Sequence, residues 1–484
     1  MARGLSLSVT LPENLDTLDR QIQNRIEKCR AGILCPDTLR EKAAELRRQA
    51  GWDGKGIIVA SGHQPVIYHP GLFAKEVLAV ALARRYDGSA YNIVLDTDEI
   101  DLAISYPVRL DMDFSCTTSV QDWPVHKRTV PLTRGNRIVG FQKFDDSNRA
   151  LLRRACEEAL RELHLVLEPN ARRRARNFIL EYIQRLEKAN SILDPSIILR
   201  DIARQELGIR VTDVKASELF NSDAFRYFAA FVAERGADFR RAYNEQLAQY
   251  RAEHRIKNPA QPLPDLDEQI GELPFWYIKG GYREALTDDT FAEALQSCKD
   301  GSGAIYPRAV TTSLFVRLFF CDLFIHGTGG GRYDRITESL ILKFFECDAA
   351  PFVVATASLQ LEPRADVPVL SRDLKAVERE LRQLHFDPAR FLSTECELHR
   401  QREELIGRWH DAKAAHRPRA ELHREFAKLK RKARLYLHFR KKELEKERTR
   451  ARRVAAGARI FGDRSYPLFY YDLNELSEAM KSIG

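Results

Sequence analysis

Residues 57–75 read IIVASGHQPVIYHPGLFAK, and the architecture can be worked out from this stretch. Its first four residues are apolar and typical of a buried strand. A polar Ser-Gly-His-Gln-Pro turn follows, and Pro70-Gly71 is typical of a helix start. A second apolar run at 91–95 then ends in acidic residues. Strand, helix and strand predict a parallel βαβ unit and therefore an α/β fold.

The polar turn is a candidate binding site, because ligands of open α/β sheets lie beyond the carboxyl ends of the strands. Ser61, Gly62 and Gln64 are predicted to bind substrate or phosphate, since a glycine permits close backbone approach and a helix start favours an anion. His63 and His69 are predicted catalytic residues. A neutral imidazole donates or accepts, and an imidazolium neutralises phosphate. The alternative is a buried structural turn.

The second strand runs into DTDEID at 96–101, which holds four carboxylates in six residues. If side chains continue to alternate after the strand, Asp96 and Asp98 point to the same side. Two neighbouring carboxylates there would raise the pKa of one of them or hold Mg²⁺. Asp98 and Glu99 are the predicted catalytic pair, and a helix cap with solvated acids is the alternative. Lys75, one turn into the preceding helix, is expected to be a solvated surface lysine, with contact to an anion as the alternative.

A second glycine-rich turn, HGTGGGRYDRIT at 326–337, follows another strand-like run. Its backbone N–H groups suit a phosphate or carboxylate, although it lacks the Gly-Lys-Ser/Thr of a P-loop and a plain dinucleotide fingerprint. A flexible structural turn is the alternative, with Asp334 as a helix cap. The predicted ligand-binding residues are His326, Gly327, Gly329, Gly330, Gly331, Arg332, Tyr333 and Asp334, with Arg308 as an outlying member.

Composition narrows the class of protein. The 484 residues are 44% hydrophobic and 30% charged, which predicts an ordered chain of two or three domains. No apolar segment approaches the length of a membrane span, and the N-terminus lacks the apolar core of a secretory signal. We therefore expect a cytoplasmic protein with no membrane partner. The eight cysteines lack the spacing of a zinc finger and are expected to be reduced thiols.

The pattern along the chain predicts five segments. They are N-terminal helices with the first part of the core (1–145), a helical insert (146–281), the second part of the core (282–370), a helical hairpin (371–456) and a C-terminal segment packed on the core (457–484).

The hairpin carries the basic excess of the chain. Residues 371–453 hold 25 Lys and Arg against 14 Asp and Glu, so the net charge of +8 divides into +11 there and −3 elsewhere. A solvated coiled-coil face, a dimer interface and nucleic-acid binding through 428–442 are the three interpretations. Nucleic-acid binding requires that the basic residues lie in one stripe along the helix surface. Against this, acidic residues follow soon after residue 442, at Glu443, Glu445 and Glu447.

These motifs, in this order, resemble those of the bacillithiol biosynthesis cysteine-adding enzymes, a family of cysteine ligases. Residues 61–65, Ser-Gly-His-Gln-Pro, stand where the family has Thr-Gly-Gln-Gln-Pro. Residues 96–101 stand at its Asp-His-Asp strand end, and 327–333 at its glycine loop with a following tyrosine. The resemblance implies a Rossmann-like core, similar to class I nucleotidyl transferases, with helical insertions. It also implies a C-terminal antiparallel coiled-coil hairpin that forms a homodimer.

By this resemblance, the chain is expected to join an amino acid, such as cysteine, to the amine of a small sugar-containing acceptor. Formation of such an amide requires an activated carboxylate, which suggests ATP and Mg²⁺, although no motif proves a nucleotide site and the cofactor stays unknown. His63 and His69 would stabilise developing charge, while Asp98 or Glu99 would act on the amine or bind metal. Two other functions stay open: a nucleotidyltransferase acting on a sugar phosphate, and a non-catalytic coiled-coil scaffold or RNA-associated protein.

Overall fold

The computed structural model describes residues 6–10, 15–31, 37–109, 125–133, 138–258, 260–261, 263–346, 349–361 and 374–481. The chain forms two compact units. Unit 1 comprises Met1–Pro107, Lys127–Glu362 and Asp463–Gly484, and unit 2 comprises Val108–His126 and Pro363–Gly462. The five predicted segment boundaries stay predictions. Within the described ranges, no helix combines the length and apolarity that crossing a membrane would require.

The described strands belong mainly to unit 1. The strands are β1 (Ser6–Thr10), β2 (Ile58–His63), β3 (Ser89–Val94), β4 (Ala103–Arg109), β5 (Val125–Pro131), β6 (Thr212–Lys215), β7 (Glu272–Lys279), β8 (Tyr282–Thr287), β9 (Gly303–Pro307), β10 (Leu323–His326) and β11 (Phe352–Ser358).

The α-helices of the described ranges occupy both units. They are α1 (Leu15–Ala31), α2 (Asp37–Gln49), α3 (Pro70–Arg85), α4 (Asp146–Val166), α5 (Pro169–Leu186), α6 (Asp194–Leu207), α7 (Ala216–Phe220), α8 (Asp223–Glu234), α9 (Gly236–Glu253), α10 (Phe291–Lys299), α11 (Ala309–Phe315), α12 (Gly330–Phe344), α13 (Leu374–Phe386), α14 (Glu397–Ala414), α15 (Ala420–Tyr436), α16 (His438–Phe461) and α17 (Leu473–Lys481).

A six-stranded sheet lies at the centre of unit 1, in the order β1-β11-β10-β2-β3-β6. Its strands are parallel except β1, which runs antiparallel to β11. Ile58, Val59 and Ala60 of β2 are fully buried, as expected for a parallel strand covered on both faces. The α/β fold and its β2-α3-β3 unit are therefore confirmed. The short edge strand β1 was missed, because helical patterns fill the rest of the first 55 residues.

The order of the parallel strands reverses between β2 and β10. From β2 the chain adds β3 and β6 on one side, and later adds β10 and β11 on the other. In the pairing registers, Ile325 lies opposite Ser61, and His63 lies opposite Val94. The carboxyl ends of β10, β2 and β3 are consequently side by side.

A second sheet, in the antiparallel order β8-β7-β9, adjoins the helical region. Its strand β7 lies in the proline-rich stretch 254–281, at the end of the segment 146–281 that was predicted as a helical insert. Aromatic residues favour a strand here, and Pro274 falls where the pairing is irregular between Glu272 and Trp276. A proline is tolerated at such an irregularity because no ladder hydrogen bond is lost. Helices α4 to α9 follow the prediction for 146–253, except that β6 joins the central sheet.

Unit 2 contains two pairs of packed helices. α13 packs on α16 around Val377, Leu384, Leu437 and Leu444, and α14 packs on α15 around Leu405, Leu422, Leu429 and Ala433. Leu435 of α15, by contrast, is exposed. Paired helices are therefore observed, whereas a coiled-coil hairpin stays a prediction.

The C-terminal residues of unit 1 lie against α3. The Leu468 backbone N–H donates to the Tyr68 carbonyl at 3.1 Å, and α17 packs on α3. A short 3-10 turn, Leu468–Tyr470, precedes this helix.

Candidate functional site

The candidate site lies at the neighbouring carboxyl ends of β10, β2 and β3, where the strand order reverses. Ligands of open α/β sheets bind at such a point. The three sequence motifs that were predicted separately each follow one of these strands: 326–331 after β10, 62–65 after β2 and 96–99 after β3. The tertiary structure thus assembles them at one edge of the sheet.

His63, at the end of β2, is held by its own turn. Its Nδ1 lies 3.0 Å from the Gln64 carbonyl oxygen, and its ring contacts Tyr68 edge-on. Burial, together with the nearby charge of Lys75, lowers the pKa of His63 to about 3. The neutral imidazole is therefore the form present near pH 7, and it brings no positive charge to a phosphate. Because a carbonyl can only accept, Nδ1 carries the proton and Nε2 is left as an acceptor.

His69 caps the helix that follows. The Gly71 backbone N–H donates to His69 Nδ1 at 3.1 Å at the start of α3. Burial, with a contribution from Arg464, lowers the pKa of His69 to about 4. Its neutral form has the proton on Nε2, so it is a donor there. The cap is a structural role, and a catalytic role for His69 stays a prediction.

Lys75 was expected on the surface, but it is only 2% exposed. Its Nζ donates to the Gly62 carbonyl at 2.6 Å, which ties α3 to the turn after β2. Burial lowers the pKa of Lys75 to about 8, although neighbouring Glu76 raises it. The sequence held a signal of this burial: the Lys-Glu pair interrupts a helix that is otherwise apolar from Gly71 to Ala83.

Asp98 joins two parts of the site. One of its carboxylate oxygens accepts from Gln64 Nε2, and the other accepts from Arg283 and from the Glu99 backbone N–H, the latter at 2.9 Å. Arg283 lies on β8 and also donates to the Thr97 carbonyl at 3.0 Å. The Nε atom of Arg283 lies 3.9 Å from Glu99 Oε1. Sequence reasoning missed Arg283, because nothing local connects a lone arginine of β8 to Asp98, which lies 185 positions before it.

Asp96 plays a different part from Asp98. Its carboxylate accepts from the Ser217 backbone N–H at 2.9 Å and from Ser217 Oγ at 2.6 Å, at the start of α7. Burial raises the pKa of Asp96, against the lowering effect of those hydrogen bonds. This is the helix-cap alternative for one acid of the cluster. Among the described side chains, no group of three or more His, Cys, Asp or Glu is placed to hold a metal ion.

His326 and Asp334 come together beside the glycine turn. His326 Nε2 lies 3.0 Å from Asp334 Oδ2, and the same carboxylate pairs with the fully buried Arg317. Arg317 Nε in turn donates to the Ala350 carbonyl at 2.8 Å. Burial raises the pKa of Asp334, but the charge of Arg317, together with His326 and a hydrogen bond from Thr337, holds that pKa below its usual value. Asp334 is the fifth residue of α12, so the helix-cap alternative is wrong.

The glycines of the turn divide into two groups. A side chain at Gly331 would overlap Val354, and one at Gly330 would lie 2.6 Å from His326 Nδ1, so these two glycines allow α12 to approach its neighbours. At Gly327 and Gly329, an added side chain would meet open space. The predicted ligand-binding function therefore fits the first part of the turn better than the second.

The remaining predicted ligand residues lie around the turn or away from it. Arg332 is exposed, and half-buried Tyr333 lies near the Tyr250 ring. Arg308 belongs to the second sheet, where it stacks over Trp276 at 4.0 Å and pairs with Glu272. Its described contacts connect it to that sheet and not to the glycine turn.

No model of a known protein family matches the chain, and no curated protein sequence is significantly similar to it.

Proposed function

We propose that the chain is an enzyme with a Rossmann-like core that joins an amino acid to the amine of a small sugar-containing acceptor. The observation that carries the proposal is the meeting of three strand ends, with Gln64 bonded to Asp98 across two of them. The order β6-β3-β2-β10-β11 is the order expected of a doubly wound nucleotide-binding sheet. The resemblance in the motifs supplies the reaction class.

In this proposal the acceptor amine lies near His63 and Asp98. Unprotonated His63 Nε2 accepts a hydrogen bond from the amine and orients its lone pair towards the carboxylate carbon. Asp98, fixed by Arg283 and Gln64, holds a second polar group of the acceptor. His69 Nε2, which carries a proton in the neutral ring, donates to the carboxylate oxygen on which negative charge develops.

ATP with Mg²⁺ would supply the activation of the carboxylate. A phosphoryl or adenylyl group from ATP would leave with one carboxylate oxygen, as phosphate or AMP, when the amide C–N bond forms, and the proton lost by the amine would pass to solvent. The open glycines at 327 and 329, just before α12, suit its phosphates, because the start of a helix favours an anion. Since no group of three metal-binding side chains was found among the described residues, the ion would be held largely by the phosphates.

The test is turnover by the full-length protein. Purified chain with ATP, Mg²⁺, amino acids and amino sugars should form a new amide, detected by mass spectrometry, with stoichiometric ATP cleavage. We expect His63→Ala and Asp98→Asn to lower kcat/KM by about 100-fold or more. His410→Ala and Asp411→Asn, at exposed positions of α14, are the matched controls. Full turnover in both site variants would show that the chemistry lies elsewhere.

A sugar-phosphate nucleotidyltransferase is the second candidate, because the glycine turn at the reversal of strand order suits nucleotide phosphates equally well. Incubation with nucleoside triphosphates and sugar phosphates distinguishes it. Pyrophosphate release that needs a sugar phosphate and no amine would favour this reaction over the ligase.

A further inference from the structure

One face of α15 carries a row of exposed cations, which we name the basic stripe: Arg424, Lys428, Arg431 and Lys432. Residues spaced by three, four and seven positions share one side of a helix. The buried residues of α15, Leu422, Leu429 and Ala433, are used for packing within unit 2. The basic stripe is therefore a continuous outer surface, which meets the one-stripe requirement for nucleic-acid binding.

The acids that interleave in the sequence are engaged by other cations. Glu443 and Glu447 lie 3.3 and 4.0 Å from Arg440, and Glu445 lies 3.6 Å from Lys441. These ion pairs lie within α16. These three acids therefore have partners outside the basic stripe, and they do not neutralise its positive charge.

Glu425, the acid nearest to Lys428 along α15, is likewise engaged. It accepts two hydrogen bonds from Arg408 of α14, at 2.7 and 2.9 Å. Glu425 is therefore already matched by a cation of the neighbouring helix, whereas exposed Glu421 adds one negative charge at the first turn of α15.

Apolar side chains stand exposed where α15 meets α16. Leu435 is 79% exposed, Tyr436 71% and Phe439 80%. Two exposed rings are unusual on a charged helix surface, since aromatic side chains are normally covered. They follow the basic stripe within one to two helical turns.

We infer that the basic stripe and the Tyr436 and Phe439 rings form a binding surface for single-stranded nucleic acid. Cations contact successive phosphates, and the rings stack on unpaired bases without regard to sequence. From Arg424 to Tyr436, the last residue of α15, the helical rise amounts to about 18 Å, enough for several nucleotides. This inference does not depend on the proposed ligase activity.

Two other partners fit the surface less well. An anionic membrane binds a helix through a long apolar face, but the apolar face of α15 is already packed inside unit 2. A second copy that met the same stripe across a two-fold axis would place lysine against lysine, which is unfavourable. Dimerisation would have to use another face.

The experiment is fluorescence anisotropy of the full-length chain with labelled oligo(dT) and oligo(U) of about 20 nucleotides, at salt from about 50 to 300 mM. The triple variant Lys428→Gln, Arg431→Gln, Lys432→Gln should weaken binding at low salt by about tenfold or more. It should also reduce the slope of log K against log salt by about 2. Tyr436→Ala with Phe439→Ala should weaken binding by about tenfold with the salt slope unchanged.

The matched control removes the same charge from another exposed helix face. Arg172→Gln, Arg173→Gln, Arg176→Gln on α5 alters three exposed arginines of unit 1, and it should bind like the wild type. Phe439→Trp keeps a stacking ring and should retain binding. The inference is overturned if the α5 control loses as much affinity as the stripe variant. Binding to phosphatidylserine vesicles without binding to either oligonucleotide overturns it as well. Circular dichroism and thermal melting show that each variant is folded.

Discussion

His63, His69 and Lys75 show how the surrounding protein changes the chemistry of a side chain. All three have a lowered pKa, and burial is the first cause in each case. A histidine is normally half charged near neutral pH, but both of these are neutral there. Their two Nε2 atoms then have opposite functions, acceptor in His63 and donor in His69. This complementarity follows from the hydrogen bonds at the two Nδ1 atoms.

The lowered histidine pKa values predict how stability depends on pH. In the unfolded chain a histidine titrates near 6.5, whereas His63 titrates in the folded protein at about 3. Between pH 6.5 and 3, His63 is therefore protonated in the unfolded chain but not in the folded protein. The contribution of neutral His63 to the free energy of unfolding is therefore fully present above pH 6.5 and is lost as the pH falls towards 3.

We expect the free energy of unfolding of the wild type to fall between pH 7 and 5 by up to about 2 kcal/mol because of His63 alone. Urea unfolding at several pH values should show a shallower fall for His63→Gln. His410→Gln, at an exposed position, serves as the control and should follow the wild-type curve. Parallel curves for His63→Gln and the wild type would mean that His63 has the same pKa in the folded protein as in the unfolded chain.

The packing of helix α12 against strand β11 explains why a glycine is required at one position of the turn. The glycine turn was predicted to bind a ligand, and Gly327 and Gly329 remain available for that function. Gly331 instead allows the helix to lie against Val354 of β11. One motif therefore serves both ligand access and packing, which the pattern of glycines could not distinguish.

Gly331→Ala should lower the free energy of unfolding by about 1–3 kcal/mol, because the added methyl group overlaps the Val354 side chain. Val354→Ala in the same chain should recover part of the loss, and a double-mutant cycle of urea unfolding measures the coupling. Gly329→Ala is the matched control, since its added methyl group meets open space. Equal effects of the two alanine variants would contradict the predicted overlap.

Unit 1 as a whole is assembled from three separated stretches of chain. Its last stretch, from Asp463 onward, buries the side chains of Tyr466, Leu468, Leu473, Leu476 and Met480 almost completely. Large apolar side chains each contribute on the order of 1.5–3 kcal/mol when they are fully buried. The end of the chain is therefore part of the core that it covers.

A chain that ends at Gly462 should lose cooperative unfolding and aggregate, because it exposes the apolar surface of α3 that α17 covers. Thermal melting by circular dichroism and light scattering would measure this. A chain that lacks only residues 482–484 is the control and should melt like the full chain. A soluble, cooperatively folded truncation at Gly462 would show that the segment is dispensable for unit 1.

Local patterns were sufficient for much of this protein. The apolar runs of β2 and β3, the glycine turn and the amphipathic helices depend on neighbours a few positions away, so the sequence alone predicted an α/β fold and three candidate motifs. It could not show that the motifs meet, because strand order depends on contacts between distant residues. The tertiary structure alone decided the pairing of Arg283 with Asp98, the contact of Arg317 with Asp334 and the hydrogen bond from Lys75 to the Gly62 carbonyl. In each case the deciding partner or covering surface is brought close by folding, and only then do burial and charge determine the state of the side chain.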